Sequence, residues 1–163
     1  MNQRRPKIVR AVAELRKTLD AVRAEGKSIG LVPTMGALHE GHISLVRAAK
    51  AECDYTVVSI FVNPTQFAPD EDLSEYPRTL EADLDALAAC DTELVFTPAG
   101  NEVYSPTHDT SVEVGSAAEP LEGQFRSTHF RGVATVVLKL FNMVGADVAF
   151  FGQKDFQQAL VIR

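Results

Sequence analysis

The sequence lacks several features that would place the protein in a special class. It has only two cysteines, Cys53 and Cys90, in 163 residues, too few for a scaffold held by disulfides. No uncharged apolar stretch approaches the length of a membrane-spanning helix, and no apolar signal core follows the basic residues at 1–10. Both thiols fall near the ends of helical patterns, which is typical of buried cysteines in a reduced protein, so we expect a cytoplasmic location.

Positive charge is also scarce. Lysine and arginine number 16 against 22 aspartates and glutamates, which gives a net charge of −6 at pH 7. This balance argues against a general affinity for nucleic acid, although it is compatible with a local basic pocket. We therefore expect neither nucleic acid nor a membrane as a partner. The length suits one domain, and a hydrophobic content of 45% with 23% charged residues is ordinary for a globular protein.

Hydrophobic periodicity predicts an alternation of helices and strands. A first helix is predicted over residues 8–26. Apolar, β-branched runs predict strands at 28–32, 55–62, 92–97 and 147–151, with a small edge strand at 111–114. Further helices are predicted over residues 41–53, from Tyr76 onward, over 133–144 and from Phe156 onward. This alternation predicts an α/β fold, a doubly wound parallel sheet with right-handed crossovers.

The most informative stretch is the turn after the first predicted strand, residues 33–42, with the sequence PTMGALHEGH. A proline and a glycine end the strand, and Gly41 opens the next helix. The first turn of a helix attracts anions because its backbone N–H groups are unpaired, and Gly41 has no Cβ to keep a phosphate away. His39 and His42 can add imidazole N–H donors there, which suits the charge on nucleotide phosphates during transfer.

Other interpretations of these polar residues remain open. Zinc binding of the metalloprotease type needs His-Glu-x-x-His on a continuous helix, whereas His39-Glu40-Gly41-His42 is one residue shorter and contains glycine. The two histidines are alternatively plain surface residues, and the acidic run at 70–72 is better interpreted as a solvated loop than as a metal site. We therefore expect no metal site formed by protein ligands alone.

Polar side chains also follow two other predicted strands. Gln66 follows the second strand, and Gly152 and Lys154 follow the last one, where a lysine suits a phosphate group if it is not simply solvated. Ligands of open α/β sheets bind at the carboxyl ends of the strands. We therefore expect Gln66 and Lys154 to converge with His39 and His42 at that edge.

Residues 33–42 resemble the signature of the pantothenate synthetase (pantoate–β-alanine ligase) family, which belongs to the His-x-Gly-His nucleotidyl-transferring group. Four later segments resemble further motifs of the family, in order: Phe61–Phe67, Tyr76–Thr79, His129–Val133 and Phe151–Gln158. The similarity extends from about residue 30 to residue 163. Ser127-Thr128 departs from the Pro-Gly that the family usually has there. By this resemblance, residues 1–163 are expected to form an N-terminal Rossmann-like ATP- and pantoate-binding domain, with the family's C-terminal domain absent from the chain.

The resemblance implies an ATP-dependent condensation of pantoate with β-alanine. A pantoyl adenylate would form first, with Mg²⁺ and release of pyrophosphate, and the amine of β-alanine would then displace AMP to give pantothenate. A homodimer is also expected from the family, and a chain without the C-terminal domain is expected to be weakly active or inactive. The alternatives are another His-x-Gly-His nucleotidylyltransferase or a module that binds ATP or pantoate without chemistry.

The resemblance also implies roles for individual residues. His42 would be the proton donor with His39 as its partner, and Lys154 would contact a phosphate. The implied ATP-binding residues are Met35, Gly36, Ala37, Leu38, His39, Glu40, Gly41, His42, Gly152, Gln153, Lys154 and Asp155. The implied pantoate-binding residues are Gln66, Gln158, Pro33, Thr34 and Met35, and Gln66 would also contact β-alanine. Secondary candidates are Asn63, Tyr76, Arg126 and His129.

Overall fold

The computed structural model describes residues 5–67, 71 and 73–163. Asp70 and Asp72, from the acidic run, lie outside the described residues. Five strands form one parallel sheet in the order β1-β4-β3-β2-β5. Their bounds are β1 Lys7–Val9, β2 Ile29–Thr34, β3 Tyr55–Ile60, β4 Leu94–Phe96 and β5 Val148–Ala149.

Helices cover both faces of the sheet. Those with three turns or more are α1 Val12–Ala24, α2 Glu40–Glu52 and α6 His129–Val144, and the shorter ones are α3 Leu80–Ala88, α4 Gly100–Val103, α5 Glu122–Phe125 and α7 Phe156–Ile162. Helices α1 and α6 pack in one hydrophobic cluster and α2 and α3 in a second, on the opposite face. The predicted doubly wound α/β fold is therefore confirmed. Within the described residues, no helix combines the length and apolar character needed to cross a membrane.

Strand β2 lies inside the sheet, between β3 and the edge strand β5, and sets the position of the site. It pairs with β3 along six residues, from Ile29 to Thr34, and with β5 on its other side. Its first four residues are buried, as expected of a parallel strand covered on both faces. Because all the strands are parallel, the segments that follow β2, β3 and β5 leave the same edge of the sheet side by side.

The predicted start of the first helix is wrong. Residues 7–9 form the edge strand β1 and pair with β4, and the helix begins only at Val12. Ile8 matched the helical spacing, but it is 36% exposed, while the adjacent Val9 is fully buried. The parallel pairing with β4 identifies these residues as a strand. Two exposed residues followed by a buried one are too few for periodicity to separate a strand from a helix.

The connection between β4 and β5 also differs from the prediction. Residues 111–114 form no strand, and the backbone N–H of Val112 instead donates to Thr135 Oγ1 at 2.9 Å. The polar segment 121–132 contains α5 and the first turn of α6, so the helix begins at His129 instead of Val133. Helix α6 therefore starts one turn earlier than its apolar pattern predicts, and Gly132, in this first turn, makes a packing contact described below.

Candidate active site

A cavity of about 380 Å³ opens beyond the carboxyl ends of β2, β3 and β5. Its lining comes from the β2–α2 turn, the short 3₁₀ turn at Pro64–Gln66, helix α6 and the β5–α7 turn. The predicted site residues that line it are Pro33, Thr34, Met35, Ala37, His39, Gly41, His42, Asn63, Gln66, Tyr76, Gly152, Lys154, Asp155 and Gln158. These four segments, together with Tyr76 from the connection before α3, therefore contribute to one concave surface.

Some predicted site residues lie elsewhere. Arg126 and His129 line an adjoining cavity of about 1000 Å³, which shares Gln66, Lys154 and other residues with the first. The residues outside both cavity linings are Gly36, Leu38, Glu40 and Gln153. Glu40 forms an ion pair with Arg47 on the surface of α2.

The two histidines cap helix α2 reciprocally. Gly41 N–H donates to His39 Nδ1 at 3.1 Å, and His39 N–H donates to His42 Nδ1 at 3.3 Å. Because each Nδ1 accepts a hydrogen bond from a backbone N–H, the ring proton of a neutral imidazole must lie on Nε2. The ring centroids are 4.1 Å apart, so two Nε2–H donors lie close together at a helix N-terminus.

Glycine at position 41 makes this cap possible. A Cβ built there would lie 2.8 Å from His39 Cε1 and 3.0 Å from His39 Nδ1, closer than such contacts allow. The sequence suggested that Gly41 leaves room for a phosphate. The structure adds a more local requirement, which is room for the imidazole of His39.

The pKa of His42 lies below its ordinary value of 6.5, because burial disfavours the imidazolium and His39 repels it, while Asp83 opposes this shift. The neutral ring with its Nε2 proton therefore persists below pH 6.5. The unfolded chain binds that proton more readily, so we expect the free energy of unfolding to decrease as the pH falls below 6.5. An NMR titration of the ring nitrogens of His42 should give a midpoint below 6.5, and a midpoint at or above 6.5 would contradict the geometry.

Hydrogen bonds fix which end of the Gln66 amide faces the cavity. Asn63 is 1% exposed, and its Nδ2 donates to Gln66 Oε1 at 3.1 Å and to Gly132 O at 3.2 Å. The Oδ1 of Asn63 accepts from Tyr104 O–H at 2.8 Å and from the hydroxyl and backbone N–H of Thr65. Because Asn63 holds the oxygen of the Gln66 amide, Gln66 presents its NH₂ group to the cavity. This group donates to Met35 Sδ, in the cavity wall, at 3.2 Å.

Tyr104 is therefore a residue that sequence reasoning missed. It follows helix α4 and supports Asn63 from outside the cavity. Its phenol has a raised pKa because burial disfavours the charged form, so it remains a hydroxyl donor at neutral pH. Nothing in the local pattern around Tyr104 indicates a contact with a residue 41 positions earlier in the chain.

Gly132 allows helix α6 to approach the turn that carries Gln66. A Cβ at position 132 would lie 2.3 Å from Thr65 O and 2.7 Å from Gln66 Cα, both backbone atoms. The backbone of Gln66 is held further by His129 Nδ1, 2.9 Å from its carbonyl oxygen. The first turn of α6, which precedes the helix predicted over 133–144, therefore supports Gln66.

The two adjacent glutamines of α7 have different positions. Gln158 lines both cavities, whereas Gln157 is 7% exposed and lines only the second cavity. The Oε1 of Gln157 accepts from Glu122 N–H at 3.1 Å. Its Nε2 donates to the carbonyl oxygens of Ala117 and Pro120, which precede α5. Gln157 therefore anchors the segment that carries Arg126, a role that the sequence did not reveal. Arg126 itself pairs with Glu71 at 2.8 Å.

Cations and cysteines complete the description. Lys154 is 85% exposed, and its Nζ lies 3.5 Å from Asp155 Oδ1, so its charge is accessible to a ligand. Among the described residues, no three histidine, cysteine or acidic side chains are grouped in a way that could hold a metal ion. Both cysteines are free thiols, Cys53 buried and Cys90 half-buried.

Fold and site together define a class. An all-parallel, doubly wound sheet carries a His-x-Gly-His turn after its interior strand β2, with both imidazoles at the carboxyl edge. This is the architecture of the His-x-Gly-His nucleotidyltransferase type of α/β domain.

Comparison with known proteins identifies the family within that class. The family model for pantoate-beta-alanine ligase matches residues 7–163, and the chain belongs to this family. Pantothenate synthetase 1 of Bradyrhizobium diazoefficiens is 56% identical over 157 residues, which is 96% of this chain and 56% of that protein. Pantothenate synthetase of Porphyromonas gingivalis is 58% identical, with the same two coverages.

Solved structures agree with the sequence comparison. The crystal structure of pantothenate synthetase from Thermus thermophilus has a TM-score of 0.91 and 46% identity, and the match covers 96% of this chain and 55% of that one. Pantoate-beta-alanine ligase from Francisella tularensis, crystallised with beta-gamma ATP and beta-alanine, has a TM-score of 0.91 and 39% identity, with coverages of 96% and 60%. The chain thus spans between half and two thirds of the length of these relatives.

Proposed function

We propose that residues 1–163 form the ATP- and pantoate-binding domain of an enzyme that condenses pantoate with β-alanine. The observation that carries this proposal is a single cavity shared by His39, His42, Lys154, Gln66 and Gln158 in a chain of this family. The relatives named pantothenate synthetase, and the Francisella tularensis complex with beta-gamma ATP and beta-alanine, support the choice of substrates. A homodimer, expected from the family, and a cytoplasmic location, expected from the two free thiols, are further parts of the proposal.

The nucleotide would occupy the β2–α2 and β5–α7 turns. The Nε2–H groups of His39 and His42, with the N-terminus of α2, would donate to phosphate oxygens, and Lys154 would add a positive charge. Magnesium would enter as Mg·ATP, because this cation keeps phosphate oxygens and water as most of its ligands. Asp155 is the one carboxylate among the described residues of the cavity lining, which fits a cation that the nucleotide carries.

Pantoate would occupy the side of the cavity nearest α6. The apolar side chains that line it are Phe61, Val133, Val136, Val137 and Leu140, and they suit the two methyl groups of pantoate. The NH₂ group of Gln66 and the amide of Gln158 would bind the hydroxyl and carboxylate oxygens. Neutral amides bind a carboxylate without fixing a countercharge, which suits a group whose charge disappears in the reaction.

The proposed chemistry has two steps. A carboxylate oxygen of pantoate attacks the α-phosphorus, the bond from that phosphorus to the bridging oxygen breaks, and pyrophosphate leaves. His42 and Lys154 would stabilise the charge that develops on the phosphate oxygens. The amine of β-alanine, positioned next to Gln66, then attacks the acyl carbon. The bond to the AMP oxygen breaks, and the amide nitrogen loses its proton to solvent.

Pantoate-dependent exchange between ATP and labelled pyrophosphate tests the first step directly. We expect exchange by the full-length gene product only when pantoate is present, and pantothenate and AMP when β-alanine is added. Exchange with a phosphorylated acceptor in place of pantoate, or binding without AMP formation, would refute the assignment.

Replacing Lys154 with methionine should weaken nucleotide binding. The methionine side chain is one atom shorter and uncharged, so the variant removes a charge-assisted contact worth about 1.5–3 kcal/mol. The Kd of Mg·ATP should therefore rise by roughly ten- to a hundredfold. Calorimetry on the full-length gene product measures this. Lys17→Met, on the exposed face of α1 and outside both cavities, is the matched control and should change nothing. If the two variants bound Mg·ATP with equal affinity, Lys154 would make no contact with the nucleotide.

A further inference from the structure

Asp83 is a buried carboxylate that belongs to neither cavity lining. It lies in helix α3 and is 3% exposed. From its position near the start of α3, the sequence suggests a side chain that complements the N-terminus of its own helix. The structure instead directs this carboxylate to a different segment, the β2–α2 turn.

The Asp83 carboxylate receives two backbone N–H groups from that turn. Ala37 N–H donates to Oδ2 at 3.1 Å, and Leu38 N–H donates to Oδ1 at 2.8 Å. Thr79 Oγ1 lies 3.3 Å from Oδ1 and adds a donor from the α3 side. Consecutive backbone N–H groups that converge on one anion form a nest, an arrangement better known for binding phosphates. Here the protein's own carboxylate fills it.

The turn needs such support because of its backbone conformation. Gly36 has φ +86° and Ala37 has φ +51°, so two consecutive residues lie in the left-handed region. For a non-glycine residue this conformation costs about 1–2 kcal/mol and persists where the surroundings fix it. Asp83 is in position to fix it, since its oxygens bind the N–H groups that this conformation brings to one side.

The conformation of this turn determines where the imidazoles point. His39 immediately follows Leu38, and its backbone N–H and side chain make the reciprocal cap with His42. A shift of the turn would therefore move both Nε2–H donors. We propose that Asp83 is a positioning residue that holds the β2–α2 turn in the conformation required to bind the phosphates of the nucleotide.

The test compares Asp83→Asn with Asp85→Asn in the full-length gene product. The first change replaces one carboxylate oxygen with an NH₂ group, so that a donor faces the N–H of Ala37 or Leu38 in a buried site. The second is the same chemical change on an exposed residue of the same helix, 69% exposed and paired with Arg5. The readouts are the KM values for Mg·ATP and for pantoate in pyrophosphate exchange, with the unfolding midpoint measured in parallel.

This inference rests on the proposed function, and the outcomes separate the two. We expect D83N to raise the KM for Mg·ATP at least tenfold, with less than a twofold change for pantoate and no change in D85N. Loss of stability with unchanged KM values, or equal rises for both substrates, would overturn the positioning role. If the wild-type enzyme shows no pantoate-dependent exchange, the proposed function itself has failed.

If D83N does not fold, amide hydrogen exchange of the wild-type protein tests whether Asp83 holds the β2–α2 turn. The N–H groups of Ala37 and Leu38 should exchange at least tenfold more slowly than in an unstructured peptide, and their NMR shifts should change when Mg·ATP is added. Exchange at the unprotected rate, or shifts indifferent to Mg·ATP, would refute the proposal.

Discussion

Replacing His42 with asparagine is expected to lower the rate of pantoate-dependent pyrophosphate exchange by about 10²- to 10³-fold, the usual effect of removing one donor to a developing oxyanion. The oxygen of asparagine can still accept the N–H of His39, as His42 Nδ1 does at 3.3 Å. The hydrogen bond from His39 N–H that caps helix α2 is therefore kept, and only the Nε2–H donor is lost. Steady-state exchange kinetics on the full-length gene product measure this effect.

Glutamine at position 42 is the matched comparison. Its longer side chain places an amide N–H near the position of the lost Nε2–H, so His42→Gln should lose less activity than His42→Asn. Both variants remove the titrating group, so any acid limb due to His42 should disappear from the pH profile of kcat/KM for ATP. Equal activities of the two variants, or H42N at more than roughly a tenth of wild-type activity, would show that His42 makes no essential contact.

Replacing Gly132 with alanine is expected to damage both stability and the site. The added Cβ would lie 2.3 Å from Thr65 O, and backbone atoms cannot move aside as a flexible side chain can. Overpacking of this kind costs about 1–3 kcal/mol of unfolding free energy. The displaced turn carries Gln66, and a shift of about 1 Å in a positioning group can cost roughly 10²-fold in kcat/KM, here for pantoate. Denaturant unfolding and exchange kinetics measure the two effects.

Gly100→Ala is the control for this prediction. Gly100 lies in helix α4, and a Cβ there meets nothing within 4 Å. Alanine favours a helix over glycine by about 1 kcal/mol, so this variant should be neutral or slightly stabilised. If G132A retained wild-type stability and pantoate kinetics, the close packing of α6 against the Gln66 turn would not be required.

Much of the fold follows from local patterns. The apolar runs around β2 and β3 predict buried parallel strands, and the glycine after α6 predicts its end, where Gly145 has φ +60°. The edge strand β1 could not be predicted, because its three residues acquire their identity only by pairing with β4, more than 80 residues later. Strand pairing is a property of two segments, whereas periodicity is a property of one.

The candidate site also combines residues that the local sequence predicts with residues that it does not. Local sequence places His39, His42, Gln66 and Lys154 at turns after strands, and a parallel sheet necessarily brings such turns to one edge. The residues that orient them are different. Asp83 contacts the turn across 45 residues of sequence, and Tyr104 contacts Asn63 across 41.

The sequence alone determined the parallel α/β architecture, the turn that bears the histidines, and membership of a family whose motifs occur in order. Only the tertiary structure decided that Asp83 holds this turn, that Gly132 packs against the turn of Gln66, and that Gln66 presents its NH₂ group to the cavity. The physical reason is the range of the interactions. Propensity, periodicity and turn chemistry act over a few neighbouring residues, whereas hydrogen bonds and close packing between distant segments exist only after the sheet has assembled.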